Sequence, residues 1–311
     1  MLDFLQMKRR FAFTLLGLVF LVGAYLGWVK LTSPWGDQVV HYQPSSESCF
    51  SGGTAVKWKY CLHTAPQGTN GAVAYFLHGR GHDEKMWNDD TFYTAMIQKF
   101  WADHGTKPPL IVSLSFGRDW ILAPKGKAEK SGLLDVFMNE LIPDAERRIG
   151  SPPRYRVVFG ESMGGLNSLI AGMNRPDFFQ KVLSLCSPIY KVSAFSGFGT
   201  FRDFLTRSGA DPRVIFGIRL LGLQYAADEQ EWNKISPYEL LKKSNPRKLP
   251  ELYVSDGLYD KYGIYEGGEA FAEMAKAKGI PLIWRPLYGG HCAIDITSAA
   301  EFLGSPPERH L

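Results

Sequence analysis

Charge imbalance, metal-ligand spacing and repetition are what this chain has least of. Across 311 residues the formal net charge is only +4. No helix face interleaves basic residues with aromatics, so the pattern of a nucleic-acid binder is missing. No C-x-x-C or H-E-x-x-H spacing occurs among its four cysteines and seven histidines, so neither a structural nor a catalytic metal is expected. No other cofactor is expected either. Internal repeats and low-complexity tracts are absent, which excludes stacked-repeat architectures. What is present is an ordinary globular composition, 45% hydrophobic and 21% charged, with enough apolar residues for a sizeable core. The length is one that α/β folds often reach undivided.

The N-terminus departs from that average. Lys8-Arg9-Arg10 precedes residues 11–29, a run with no charged side chain. As a helix this run would span about 28 Å, close to the hydrocarbon thickness of a bilayer. The basic flank predicts a cytoplasmic N-terminus and an exported body. Two readings compete. Val22-Gly23-Ala24 offers small residues to signal peptidase, which would make the segment removable and the body secreted or periplasmic. Trp28 and Lys30 suit the interface end of an uncleaved anchor, and this reading is favoured. Residues 1–30 are thus a membrane anchor or signal peptide, 31–48 a polar linker and 49–311 a catalytic domain. Export makes the cysteines readable. Cys49 and Cys61 flank the turn Ser51-Gly52-Gly53 and a strand-like segment, and a disulfide between them fits an oxidising compartment. Cys186 and Cys292 are read as small buried residues rather than a second bridge.

Strand-like and helix-like segments alternate through the body. Residues 55–63, 72–77, 110–115, 155–158, 182–186, 252–255 and 282–284 read as strands, and 72–77 is apolar throughout, as in a strand covered on both faces. Residues 85–104, 166–173 and 268–278 read as helices. Leu133, Leu134, Phe137, Met138, Leu141, Ile142 and Ala145 form a helical stripe, with Pro143 predicting a kink or an early end inside it. The alternation argues for a mostly parallel sheet with helices on both faces. It stops at about 189–245, an aromatic insertion that reads as a cap or lid over the active-site side. Ser236-Pro237-Tyr238-Glu239 looks like a capping box opening a short helix there.

Phe159-Gly160-Glu161-Ser162-Met163-Gly164-Gly165 carries the chemistry. A serine on a sharp strand-to-helix turn projects its hydroxyl clear of the backbone, and glycines two residues to either side leave room for the turn. The following helix aims free amides at charge developing beside the serine. Ser162 needs a base, and His291, in Tyr288-Gly289-Gly290-His291-Cys292 beyond the last strand, is the candidate. The base needs an acid. Asp256 and Asp260 both follow a strand; Asp260 is favoured because a loop position can reach across to His291. Oxyanion donors would be the amide of Met163 and that of Arg80 or Gly79, in the turn His78-Gly79-Arg80-Gly81. His78 is read as organising that loop. Trp120, Phe195 and Phe198 are candidate pocket residues.

Leu77-His78-Gly79-x-Gly81 with Trp87, then Gly160-Glu161-Ser162-Met163-Gly164-Gly165, Gly257-x-x-Asp260 and Gly289-Gly290-His291 together resemble the putative-esterase branch of the α/β-hydrolases. That branch includes esterase D-like enzymes, feruloyl esterases and mycolyltransferases, and the likeness runs over residues 55–303. It implies an α/β-hydrolase fold, Ser162 as nucleophile, Asp260 as acid and His291 as base. It also implies Met163 and the Gly79-Arg80 turn as oxyanion hole. Cys292 after the histidine and the long aromatic insertion depart from many members. The expected activity is hydrolysis of a small-molecule or polymer-attached carboxylic ester. An acyltransferase using the same triad and a non-catalytic envelope binding protein are the alternatives.

Overall fold

The structure, a computed structural model, describes residues 2–32 and 39–308. The chain divides into two units, Met1–Val39 and Val40–Leu311. In the first, α1 (Leu2–Thr32) is one continuous helix. Its side chains from Phe11 to Trp28 are all exposed, with a mean hydropathy of 2.0, so length and composition suffice to cross a bilayer. Residues 33–38 of the expected linker lie outside the described residues.

The second unit is built on eight strands: β1 (Ser46–Gly52), β2 (Trp58–Thr64), β3 (Val73–Leu77), β4 (Leu110–Ser115), β5 (Arg156–Glu161), β6 (Lys181–Leu185), β7 (Glu251–Gly257) and β8 (Leu282–Leu287). They form one sheet in the order β1-β2-β4-β3-β5-β6-β7-β8. Pairing is antiparallel from β1 to β2 and from β2 to β4, and parallel elsewhere. This is the α/β-hydrolase arrangement of a mostly parallel sheet. Every side chain of β3 is buried. Val73, Tyr75 and Leu77 enter one apolar cluster while Ala74 and Phe76 enter another, the period-two alternation of a strand with two dry faces.

Helices supply the covering layers. On one face lie α2 (Tyr93–Asp103) and α11 (Ile296–Gly304). On the other lie α3 (Leu133–Val136), α4 (Ile142–Ile149), α5 (Met163–Asn174) and α10 (Ile264–Ala277). Between β6 and β7 the insertion is helical: α6 (Phe198–Ser208), α7 (Val214–Tyr225), α8 (Glu229–Trp232) and α9 (Pro237–Lys243). Part of it carries a small core of its own around Phe201, Phe204 and Ile218. Ser236 caps α9 by accepting from the amide of Glu239, with Pro237 in the first turn.

Several expectations shift. Residues 40–48, read as linker, belong to the body: the Val40 amide donates to the Asp90 carbonyl, Ser45 bonds to Gln98, and β1 takes in Ser46–Ser48. β1 is a polar edge strand with no apolar alternation to betray it. The expected helix over 85–104 is broken, with a 3-10 turn at Met86–Asn88 before α2. Asp89 causes the break, its carboxylate taking the amide and hydroxyl of Thr91 in a local turn. Pro143 does not end its helix. A π turn at Phe137–Leu141 precedes it, the Ile142 amide reaching back to the Phe137 carbonyl, and this wider turn makes room for the proline ring. Cys49 and Cys61 form a disulfide across directly paired positions of β1 and β2.

The cap begins where backbone meets backbone. A Cβ added at Gly267 of α10 would lie 1.6 Å from the carbonyl oxygen of Ile189, and neither side can yield by rotating a side chain. Gly267→Ala is expected to destabilise the body by about 2–3 kcal/mol, read as a lower urea midpoint with unchanged slope; an unshifted midpoint would contradict this packing.

Candidate active site

The C-terminal ends of β3, β5, β6, β7 and β8 meet at one edge of the sheet, where open α/β sheets bind ligands. Ser162 stands between β5 and α5 at φ 52° and ψ −116°. That strained backbone is affordable to a non-glycine residue only when its surroundings over-determine it. Here they do. The Ser162 amide donates to the Leu185 carbonyl at 2.8 Å, and its carbonyl accepts from Leu166 at 3.0 Å. A Cβ at Gly160 or Gly164 would lie 2.1 or 1.8 Å from the Leu77 carbonyl oxygen, so the turn closes against β3 only with glycine at both positions.

The structure brings three sequence-predicted residues together. His291 Nε2 lies 3.1 Å from Ser162 Oγ, and its Nδ1 lies 2.6 Å from Asp260 Oδ2. A carboxylate at Nδ1 accepts that N–H, which leaves Nε2 with the lone pair facing the hydroxyl. Asp260 is buried and its second oxygen accepts from the Tyr262 amide at 2.7 Å. The histidine loop is pinned to the end of β7 by bonds from Leu258 to Leu287 and from Tyr259 to Gly289. A Cβ at Gly257 would meet the Gly290 oxygen at 2.1 Å.

Asp256 takes no part in this chain of hydrogen bonds. It lies within β7, fully buried against Gly268 and Trp284. Burial first, and then the neighbouring charge of Asp260, push its carboxyl well above the ordinary range.

One residue at the site escaped the sequence reading. Glu161, the variable position of the motif, is fully buried and accepts hydrogen bonds from the Gly79 amide and the Tyr93 hydroxyl. Gly79 was a candidate oxyanion donor, but its amide is thereby engaged. Among the described residues no protein acceptor takes the amides of Arg80 or Met163. His78 braces the same turn, bonded to the Gly79 carbonyl at 2.7 Å and to Ser115 Oγ at 2.9 Å. The Arg80 side chain is paired with Asp119.

The second correction concerns the cysteines. Cys186 and Cys292, read as separate buried residues, form a disulfide. With Ser162, they are the only non-glycine residues at positive φ among the described residues. The bond ties the end of β6 to the residue after His291. Two donor clusters, Cys186/His291/Cys292 and Glu47/Cys61/His63, have metal-like spacing, but their sulfurs are spent on disulfides.

A cleft of about 830 Å³ opens over Ser162, His291 and Met163. Trp120, Ile121, Leu166, Ile218, Leu221 and Trp232 give it a largely apolar wall, with Arg213 and Lys261 also lining it. Trp120, a candidate pocket residue, is among them. Phe195 and Phe198 do not line the cleft. Phe195 packs against the main core, and Phe198, at the start of α6, is 83% exposed because α6 turns Phe201 and Phe204 inward instead.

Comparison with known proteins agrees with this architecture. The family described as "Putative esterase" matches residues 56–282. No curated protein matches the chain. Among solved structures, a ferulic acid esterase superposes with TM-score 0.60 at 16% identity, covering 85% of this chain and 97% of its own. An S-formylglutathione hydrolase from Agrobacterium tumefaciens gives 0.58 at 16% identity, with 86% and 98% covered. The fluorophosphonate-binding serine hydrolase F of Staphylococcus aureus gives 0.56 at 15%, with 85% and 100% covered. At such identities the likeness is one of fold.

Burial lifts the Glu161 carboxyl to about 8 from its ordinary 4.5, so it is neutral in the folded protein where the unfolded chain would ionise. Between those values the unfolded state binds fewer protons, and stability falls as pH rises, then levels above about 8. Glu161→Gln removes this contribution. The variant should gain roughly 3–5 kcal/mol relative to the parent between about pH 4.5 and 8.5, measured by urea melts; parallel stability curves would contradict a neutral Glu161.

Proposed function

The chain belongs to the putative esterase family and is a serine esterase; on that premise we propose that it cleaves carboxylic esters through an acyl-enzyme formed on Ser162. The observation that carries this reading is the continuous hydrogen-bonded chain from Ser162 through His291 to Asp260. His291 Nε2 takes the hydroxyl proton as Oγ attacks the ester carbonyl. Asp260 holds the imidazole in the required tautomer and stabilises the imidazolium. Negative charge on the carbonyl oxygen meets the amides of Met163 and Arg80, with the N-terminus of α5 behind them. The imidazolium then protonates the departing alkoxide, and the alcohol leaves. Water enters, gives its proton to Nε2 and attacks the acyl carbon, and collapse releases the acid and restores Ser162. An alcohol in place of water would give acyl transfer by the same steps.

Glu161 acts on this chemistry indirectly. By holding the Gly79 amide it sets the turn that presents the Arg80 amide. The apolar wall of the cleft suits an aliphatic or aryl portion of the ester. We place the body outside the cytoplasm. The apolar α1 behind Lys8-Arg9-Arg10 supports this, and so do two disulfides in a chain with no free cysteine among the described residues.

A fluorophosphonate probe should label the wild-type protein at Ser162 and leave Ser162→Ala unlabelled and without activity on p-nitrophenyl esters. Asp260→Asn should lower kcat roughly a thousand- to ten-thousandfold, while Asp256→Asn stays within about tenfold of wild type. Absence of labelling in folded protein, or equal losses for the two aspartates, would defeat the assignment. Product analysis with an added acceptor alcohol separates hydrolysis from transfer.

A further inference from the structure

Helix α7 is apolar except for Arg219 and Gln224 and carries apolar side chains on opposite sides, a pattern that leaves part of its apolar surface without a protein partner when it lies at the surface. Val214, Ile218, Gly222 and Tyr225 are buried, and Ile218 and Leu221 line the cleft. Its opposite side is left open. Phe216, Leu220 and Leu223, at helical spacing, are 69%, 63% and 53% exposed, and Phe198 of α6 is 83% exposed. Three aromatic or aliphatic side chains in line on one helix are more than the scattered surface apolar residues of ordinary proteins.

Charge around this face points to the nature of its partner. Arg202, Arg207 and Arg213 meet Asp203, Glu266 and Asp211. Arg219, beside the apolar line, has no carboxylate partner among the described residues; its guanidinium donates to the Ser196 carbonyl and lies over Phe201. Lys261, at the cleft, likewise has no carboxylate in ion-pair distance among the described residues and lies over Tyr262. An apolar helix face with surplus cations at its margin is suited to the boundary between headgroups and acyl chains of an anionic lipid layer. The same chain carries α1, which is long and apolar enough to cross a bilayer.

We propose that the outer face of α7, with Phe198, docks on an anionic lipid surface, and that the cleft takes its ester from that surface. The second half rests on the ester-hydrolase reading; the docking itself does not. Because α7 is at once the docking face and a wall of the cleft, an apolar acyl chain leaving the bilayer would meet Leu221 and Ile218 without crossing water.

The test uses the full chain in lipid nanodiscs, one chain per disc, containing either phosphatidylcholine alone or phosphatidylcholine with phosphatidylglycerol. The variant is Phe216→Ser/Leu220→Ser/Leu223→Ser, whose changes fall on exposed positions. In the anionic discs, amide exchange over residues 216–223 should slow by about fivefold or more relative to the neutral discs. The variant should lose about tenfold or more of its activity on a long-chain ester embedded in the disc, yet stay within about twofold on water-soluble p-nitrophenyl acetate. Equal exchange in both discs, or undiminished turnover of the embedded ester by the variant, overturns the proposal. Protection seen only when two chains share a disc assigns the face to a second copy and also overturns it. If wild type hydrolyses neither ester, the hydrolase reading fails, and exchange alone decides the docking.

Discussion

The site depends on one contact between backbones, the carbonyl of Leu77 at the end of β3 against the turn that joins β5 to α5. The parallel register sets Leu77 level with Gly160, and the turn rises directly into that carbonyl. With hydrogen atoms at Gly160 and Gly164 the two segments meet; with methyl groups they would overlap at about 2 Å. Closing this gap forces Ser162 to positive φ and lifts its hydroxyl clear of the sheet. The same closeness sets the His78–Gly81 turn beside the start of α5, with Arg80 and Met163 lining the same cleft as Ser162. Glu161 fastens the arrangement from within, its carboxyl holding the Gly79 amide across the contact.

A second set of bonds refers the remaining strand ends to this one. The Ser162 amide reaches the Leu185 carbonyl and the Cys186 amide reaches the Ser255 carbonyl, so β5, β6 and β7 are staggered in fixed steps. The histidine loop then packs on β7 through Gly257 and Gly290 and is tied back to β6 by the Cys186–Cys292 bond. His291 is thus placed by backbone and disulfide on two sides, while Asp260 places its ring. Preorganisation of this kind leaves little rearrangement to be made when charge develops.

What could be read from the amino-acid order is what the backbone itself demands. Glycine on either side of Ser162 and the order Ser162, Asp260, His291 follow from the geometry of the turn and the strand sequence. β3 is legible because a strand buried on both faces is apolar throughout. β1 was hidden because an edge strand, SESCFSG, has no apolar period. The Cys186–Cys292 bond spans 106 residues and exists only because β6 and the histidine loop end at the same edge; the adjacency of Cys292 to His291 was its one signal. Phe195 and Phe198 show the limit of composition as a guide. Aromatic content marked the insertion, but Ile218 and Leu221 of α7 and Trp232, rather than those two residues, are among what it contributes to the wall of the cleft.

The apolar wall of the cleft and the hydrogen-bonded chain from Ser162 through His291 to Asp260 together suit a covalent route in which the acyl group waits on the protein. The most direct measurement of that claim is to quench turnover of a slowly released aryl ester with acid and map the acyl mass by peptide. The account predicts an acyl group on Ser162 approaching about one per chain, preceded by a matching burst of alcohol. Full turnover with the acyl group on another residue, or on none, would contradict it.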